Sequence, residues 1–386
     1  MNRQDMREQI EGYLEIKQEL QVLQKYAVDR TPLRGEVERV LAELHPKRLN
    51  LQVSEIIEES PSTKTLRMVS VDGYLPPFEA GQYINLFVSV AGIRTSRPYS
   101  IASSPAQSAY YDVTLRRVAD GFVSNYLLDE VNAGNTFTST SPSGQFYYNP
   151  LFHGDDLVFL AGGSGITPFM SMIREVAERN LARNIHLIYG SRDPEDIIFM
   201  KELEDRAGRH ANVTFTPVIS EPPASYSGHT GFITAELIKE LAGDISGKMF
   251  YVCGPEDMYT FCLGELEKLG VKAKRIRLEM YGPPKDVTAQ PGWPEEISLD
   301  TTFQVRVRGK GSIDALAGEP LMISLERAGI PIETSCRSGE CSLCRTKLLS
   351  GEVYQPSGVK VRKSDRCFGY IHACMAYPLT DLEIMI

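Results

Sequence analysis

Five of the seven cysteines in this 386-residue chain lie in its last 51 residues, and three of them are spaced Cys336-x4-Cys341-x2-Cys344. A tight loop can present three thiolates to one centre only where small residues let it wrap closely. Ser338 and Gly339 stand where the backbone has to pass near the sulfurs, and N–H groups in such a loop can donate to them. Cys374 follows 30 residues later. Four thiolates are what a two-iron, two-sulfide cluster requires. Zinc also takes CxxC pairs, usually as two paired knuckles, whereas this spacing is three plus one. Cys367 competes with Cys374 for the fourth place, and position alone does not decide between them. A cysteine placed like Cys367 is more often a small buried hydrophobe.

In a reducing compartment, clustered cysteines read as metal ligands before they read as disulfides. The N-terminal stretch MNRQDMREQIEGYLEIKQEL is charged throughout and lacks an apolar signal core, so a cytoplasmic location is expected. No apolar run reaches the roughly 18 residues of a membrane span. The formal net charge is −9, which argues against nucleic acid as the main partner, because phosphate binding needs a basic face. At roughly 100–200 residues per domain the length predicts two to four units.

Residues 1–48 predict a helical extension. Met6, Ile10, Tyr13, Ile16, Leu20, Leu23 and Ala27 recur at spacings of three and four, and Pro32 opens a shorter helix carrying Val37, Val40, Leu41 and Leu44. Nine basic and nine acidic residues there exclude a basic membrane-binding helix. A hairpin packed on the body is expected, with partner docking or dimerisation as the alternative. Residues 49–152 switch to short β-branched and aromatic runs (49–57, 65–71, 83–88, 111–118, 136–138) between Gly and Pro turns, which predicts an antiparallel β-barrel. Residues 153–282 alternate strand and helix, the pattern of an α/β domain with a parallel sheet. Residues 283–300 hold four prolines without periodicity and read as a stiffened linker. An α+β unit over 301–386 completes a multidomain chain.

Residues 302–386, with the loop ETSCRSGECSLC and the closing IHACMAYPLTDLEI, resemble a plant-type ferredoxin, a β-grasp domain. In that family the fourth ligand precedes a hydrophobic residue and a nearby proline, as Cys374, Met375 and Pro378 do. The resemblance therefore implies Cys336, Cys341, Cys344 and Cys374 as ligands of a [2Fe–2S] cluster. One departure is charge. Plant-type ferredoxins are usually strongly acidic, but residues 301–386 carry 11 basic and 9 acidic groups, against 21 and 32 in residues 49–300.

Arg97-Pro98-Tyr99-Ser100 follows a strand, and Gly121-Phe122-Val123-Ser124 opens a helix. A flavin needs an aromatic wall, a hydrogen bond at N5, and cations or helix N-terminal amides for its phosphates. Leu160-Ala-Gly162-Gly163-Ser164-Gly165-Ile-Thr167-Pro168 joins an apolar strand to a helix, and its glycines permit close approach to a pyrophosphate. Cys253-Gly254-Pro255 stands at another strand end, and Glu279-Met-Tyr281-Gly282 closes the domain. Together these resemble the ferredoxin–NADP+ reductase superfamily over residues 49–282. The resemblance implies that Arg97 meets the phosphates, with Pro98 beside it, that Tyr99 stacks at the ring, and that Ser100 bonds N5. It further implies that Gly121, Val123 and Ser124 bind the pyrophosphate of FAD, which is favoured over FMN. Gly162, Gly163, Ser164, Gly165, Thr167, Gly254 and Pro255 would hold the nicotinamide cofactor, with Cys253 near its C4 and Tyr281 beside the flavin. Ser100, Cys253 and Glu279 are the expected catalytic residues, Glu279 relaying a proton toward N5 through Ser100. Ser191 and Arg192 could clasp a 2′-phosphate, yet Asp193, Glu195 and Asp196 oppose one and favour a ribose hydroxyl. NADH is thus favoured slightly over NADPH.

The implied function is an NAD(P)H-dependent oxidoreductase. Electrons pass from NAD(P)H through FAD to the cluster, and on to a redox partner such as an oxygenase, a demethylase or another metalloenzyme component. The alternatives are reverse flow or supply to an anaerobic metalloprotein, and a non-catalytic redox-sensing subunit.

Overall fold

The computed structural model describes residues 11–26 and 35–386. The chain divides into two units, residues 1–46 and 47–386. The first contains helices α1 (Tyr13–Tyr26) and α2 (Glu36–Leu44). No residue of either helix is buried, and Leu20, Leu23 and Leu41 are 51%, 64% and 53% exposed. The expected stripe positions Met6, Ile10, Ala27 and Pro32 lie outside the described residues.

The second unit holds three main sheets. The first takes β1 (Leu49–Ser60), β2 (Thr63–Ser70), β3 (Tyr83–Val90), β4 (Ile93–Ser100), β5 (Tyr111–Arg116) and β6 (Thr136–Ser139), all antiparallel, in the order β4-β3-β6-β1-β2-β5. Its edges approach each other just past β4, where Ile101 bridges Val113 and the Ala102 N–H donates to the Asp112 carbonyl at 2.8 Å. Strand β4 contains residues 97–100, which the sequence pattern places after a strand. Pro98 hides the strand from pattern reading, but β4 is an edge strand, where a missing N–H is tolerated. Helix α3 (Phe122–Asp129) buries Val123, Leu127 and Leu128 in this sheet's core.

The second sheet is wholly parallel: β7 (Asp156–Gly162), β8 (Asn184–Ser191), β9 (Val213–Ile219), β10 (His229–Thr230), β11 (Met249–Cys253) and β12 (Ile276–Glu279), in the order β10-β9-β8-β7-β11-β12. Helices α4 (Thr167–Arg179), α5 (Met200–Arg209), α6 (Ala235–Ala242) and α7 (Glu256–Lys268) alternate with its strands. The strand order reverses between β7 and β11, which makes their carboxyl ends the place where such sheets take ligands.

Residues 280–301 contain no helix or strand, but they are no free spacer. Val287 and Trp293 are buried, and the Trp293 ring stands edge-on to Tyr354 at 5.3 Å between centroids and to Tyr377 at 6.1 Å. The third sheet mixes β13 (Thr302–Val307), β14 (Gly311–Leu316), β15 (Arg345–Ser350), β17 (Tyr370–His372) and β19 (Leu382–Met385) in the order β14-β13-β19-β15-β17. A small pair, β16 (Val353–Tyr354) with β18 (Tyr377–Pro378), lies apart. Helix α8 (Leu321–Arg327) is buried through Leu321, Met322 and Leu325, and α9 (Lys363–Cys367) is a short surface helix. Among the described residues no helix is long and apolar enough to cross a membrane.

Candidate active site and iron–sulfur loop

A cavity of about 430 Å³ opens where the three sheets meet. Its walls include residues 97–100 of β4, Arg116 at the end of β5, and residues 121–124 at the start of α3. Ser164 and Thr167 line it from the β7–α4 turn, Tyr281 from the segment after β12, and Pro320, Met322, Ile323, Arg337 and Cys374 from α8 and the cysteine-bearing loops of the C-terminal unit. The structure thus brings Arg97, Pro98, Tyr99, Ser100, Gly121, Val123, Ser124, Ser164, Thr167, Tyr281 and Cys374 into one cavity.

The Arg97 guanidinium donates to Thr95 Oγ1 at 2.9 Å and to the Ser96 carbonyl at 2.8 Å. Burial, and then the neighbouring Arg337 charge, lower its pKa to about 10, so it stays cationic at neutral pH. Gly121 caps α3 in an extended conformation, leaving the first-turn amides without a side-chain cap. The Ser100 hydroxyl meets the Tyr281 hydroxyl at 2.7 Å, and the Cys253 thiol reaches the same phenol at 3.5 Å. Burial raises the thiol's pKa well above its ordinary value, which keeps it protonated.

The remaining nucleotide-site candidates gather at the reversal of strand order. Cys253 ends β11 opposite Ala161, and Gly162 ends β7. Gly165 has to be glycine, since a Cβ there would strike the Cys253 carbonyl and stand 2.7 Å from the Gly254 Cα. Thr167 Oγ1 donates to the Ser164 carbonyl at 3.0 Å, and Tyr189 holds the Gly163 carbonyl at 2.8 Å. Pro255 starts α7 directly after Gly254. Ser191 and Arg192 lie at the end of β8, away from the cavity. There Ser191 is buried and donates to the Asp193 carbonyl, Arg192 is exposed, and the Asp193 carboxylate accepts the Glu195 N–H at 2.8 Å.

Glu279 is buried at the end of β12. Burial first, then the charges of Glu340 and Cys336, push its pKa up to about 8. The hydroxyl paired with Ser100 is that of Tyr281, and the charges that raise Glu279 belong to the cysteine loop, while Lys360 and Arg277 act against them.

In that loop Arg337, Gly339 and Ser342 all have positive φ, at 54°, 80° and 60°. The wrap this produces points the N–H groups of Ser338, Glu340 and Cys341 at Cys336 Sγ, at 3.4, 3.3 and 3.3 Å. Cys344 Sγ lies 3.3 Å from Cys374 Sγ. The Cys336 thiol is pulled well below its ordinary pKa, first by Cys341 and then by Cys374. Among the described residues no three His, Cys, Asp or Glu side chains converge on a single-ion site. The sulfurs lie in linked pairs with three amide donors aimed at Cys336, a donor set that fits a two-iron cluster. Cys367 is exposed on α9, which corrects the expectation that it is a buried hydrophobe. A five-residue surface helix offers it no core.

Pattern reading missed a buried ion pair inside the C-terminal unit to which a strand of the first sheet also bonds. Arg337, beside Cys336, donates twice to Glu326 of α8, at 2.6 and 2.9 Å, and Thr95 of β4 donates to the same carboxylate at 2.9 Å. Asn85 of β3 adds a bond to the Thr334 carbonyl at 2.8 Å. Glu326 carries no motif, and Arg337 is an unspecified position inside the cysteine spacing.

Three family descriptions match in chain order: an oxidoreductase FAD-binding domain over residues 50–148, an oxidoreductase NAD-binding domain over 159–263, and a 2Fe-2S iron-sulfur cluster binding domain over 305–379. The chain is 31% identical over 337 residues to NADH oxidoreductase HCR of Escherichia coli (strain K12), covering 86% of this chain and 96% of that protein. It is 28% identical over 342 residues to a glycine betaine monooxygenase reductase subunit of Pseudomonas aeruginosa (strain UCBPP-PA14), covering 86% and 93%. Among solved structures, phthalate dioxygenase reductase aligns over 88% of this chain and 97% of its own, with a TM-score of 0.63 at 23% identity, a likeness of fold.

Proposed function

Because the chain belongs to the family of FAD- and NAD-binding oxidoreductases with a C-terminal 2Fe-2S domain that includes NADH oxidoreductase HCR, we propose that it is the reductase component of an oxygenase or demethylase system. As a member it is an NAD(P)H-dependent electron-transfer enzyme using FAD and a [2Fe–2S] cluster. The oxygenase-type partner is supported by the monooxygenase reductase subunit among its relatives. One observation carries the internal route: Cys374 lines the same cavity as residues 97–100. A cytoplasmic location is in keeping with the clustered cysteines.

When bound, the flavin converts the two-electron donor NAD(P)H to single-electron transfers, and the cluster supplies a one-electron carrier. The chain's residues position and insulate these groups. Arg97 and the amides at the start of α3 hold the flavin phosphates, and Tyr99 walls the ring. Ser100, oriented by the Tyr281 hydroxyl, donates to N5. The Gly162–Gly165 turn, Thr167, Gly254 and Pro255 hold the nicotinamide cofactor, and Cys253 presents a neutral thiol beside its reactive carbon. Ser191 and Arg192 meet the adenosine ribose, with Asp193 and Glu195 tipping the choice to NADH. Cys336, Cys341, Cys344 and Cys374 ligate the irons. The division at 49–152, 153–282 and 301–386, with a barrel, an α/β domain and a β-grasp domain, is supported by each main sheet drawing its strands from one of these spans.

Rapid mixing of the holoenzyme with NADH tests the reading. The flavin absorbance should bleach first, and the EPR signal of a reduced two-iron centre should follow within the turnover time. A cluster that stays oxidised while the flavin is reduced would contradict it.

A further inference from the structure

The face through which electrons leave is set by which part of the cysteine loop reaches solvent. Cys336, Cys344 and Cys374 are buried and Cys341 is not. Leu343, between Cys341 and Cys344, is 52% exposed, and Phe368 at the end of α9 is 67% exposed. A salt bridge of 3.0 Å from Arg345 to the buried Asp365 fixes α9 against the chain that leaves the loop. Arg362, Lys363 and Arg366, all exposed, stand at the start of and within that helix, which Phe368 directly follows.

Charge distinguishes this face from the rest of the molecule. Residues 341–372 carry six basic and two acidic groups, and one of the acids is the Asp365 already paired with Arg345. Lys360 is paired with Glu340, and the Lys347 ammonium bonds the Phe368 carbonyl. Residues 49–300 are acidic, with 32 acidic against 21 basic groups. A partner with an acidic face is repelled by the flavin and nucleotide domains and attracted at the cluster end, which orients it before contact.

We propose that the cluster loop and α9 form the docking surface for the electron acceptor, an apolar centre of Leu343 and Phe368 bordered by Arg362, Lys363 and Arg366. Its occupant is a metalloprotein whose docking face is acidic around an apolar patch. The assignment rests on the reductase reading above. It gives the chain a polarity opposite to that of the acidic plant-type ferredoxins it resembles.

Two haem proteins of opposite charge serve as probes: cytochrome b5, which is acidic, and cytochrome c, which is basic. Each NADH reduces two of either haem and releases NAD+ and one proton. The holoenzyme should reduce cytochrome b5 faster at low ionic strength, with the rate falling as salt rises from about 20 to 200 mM. The triple variant Arg362→Glu/Lys363→Glu/Arg366→Glu should slow that reduction by roughly tenfold or more and speed cytochrome c. Ferricyanide, which can accept from the flavin, should be reduced by the variant as by the parent protein. The circular dichroism spectrum and the EPR signal of the cluster should also be unchanged. A salt-insensitive cytochrome b5 rate that survives the triple reversal overturns the docking face. So does a parent dimer in sedimentation that the reversal dissociates, since the face would then join two copies of this chain. Loss of NADH-to-ferricyanide turnover in the parent protein would instead overturn the reductase reading itself.

Discussion

The hydroxyl of Ser100 lies 2.7 Å from that of Tyr281, and the Cys253 thiol approaches the same phenol oxygen at 3.5 Å. One tyrosine therefore links the last residue of a flavin-side strand to the last residue of a nucleotide-side strand. Tyr281→Phe removes the partner that orients Ser100 while keeping the ring. Flavin reduction by NADH should slow by roughly tenfold with flavin content unchanged, and Ser100→Ala should slow it further. Stopped-flow bleaching of the flavin measures both, and equal rates in all three proteins would remove Ser100 from the reaction.

Glu326 receives three hydrogen bonds, two from Arg337 of the cysteine loop and one from Thr95 of β4, and is 8% exposed. Glu326→Leu leaves the Arg337 charge buried without a partner, which should cost about 3–5 kcal/mol of stability. Thr95→Val leaves the Glu326–Arg337 ion pair intact, and removes both the bond from β4 to Glu326 and one acceptor of the Arg97 guanidinium. It should cost about 1 kcal/mol and slow transfer from flavin to cluster more than reduction of the flavin. Urea denaturation and two-wavelength stopped flow separate these effects.

Much of this arrangement was legible in the sequence. The cysteine spacing, the glycine-rich turn and the strand–helix alternation are local signals, and each matches an element within a few residues. The Glu326–Arg337–Thr95 bond network was not legible, because it joins residues 11 and 231 positions apart that belong to no motif. Strand β4 was concealed by Pro98, which an edge position tolerates. The N-terminal stripe has helical spacing, and its described part forms two helices.

Cys344 is buried and Cys367 exposed. Cys344→Ala should abolish the cluster's EPR signal while leaving NADH-to-ferricyanide activity, and Cys367→Ser should retain both. A cluster lost from the Cys367 variant with Cys374 unchanged would reassign the fourth ligand.

Asp193 and Glu195 follow Arg192 at the end of β8, where Asp193 is held by the Glu195 N–H. Removing both carboxylates, as Asp193→Ala/Glu195→Ala, should lower the kcat/KM ratio of NADH to NADPH by about tenfold, since the remaining Arg192 favours a phosphate. An unchanged ratio would place the discrimination elsewhere.

Glu279, with its pKa raised to about 8, binds a proton in the folded protein that the unfolded chain releases near its ordinary value of 4.5. The folded state then holds more protons between these pH values, so this group's contribution is full below 4.5 and is lost as pH rises through 8. Glu279→Gln should therefore gain stability relative to the parent protein at pH 8 compared with pH 5, by as much as a few kcal/mol. Denaturation curves at the two pH values read this directly, and parallel losses in both proteins would refute it.

Trp293 is the chain's one indole, and it stands edge-on to Tyr354 and Tyr377. Its fluorescence therefore carries no background from any other tryptophan. Release of the C-terminal sheet from the preceding segment would wet the ring and shift its emission to the red. The enzyme thus contains its own optical gauge of whether its last domain is seated, usable without a label.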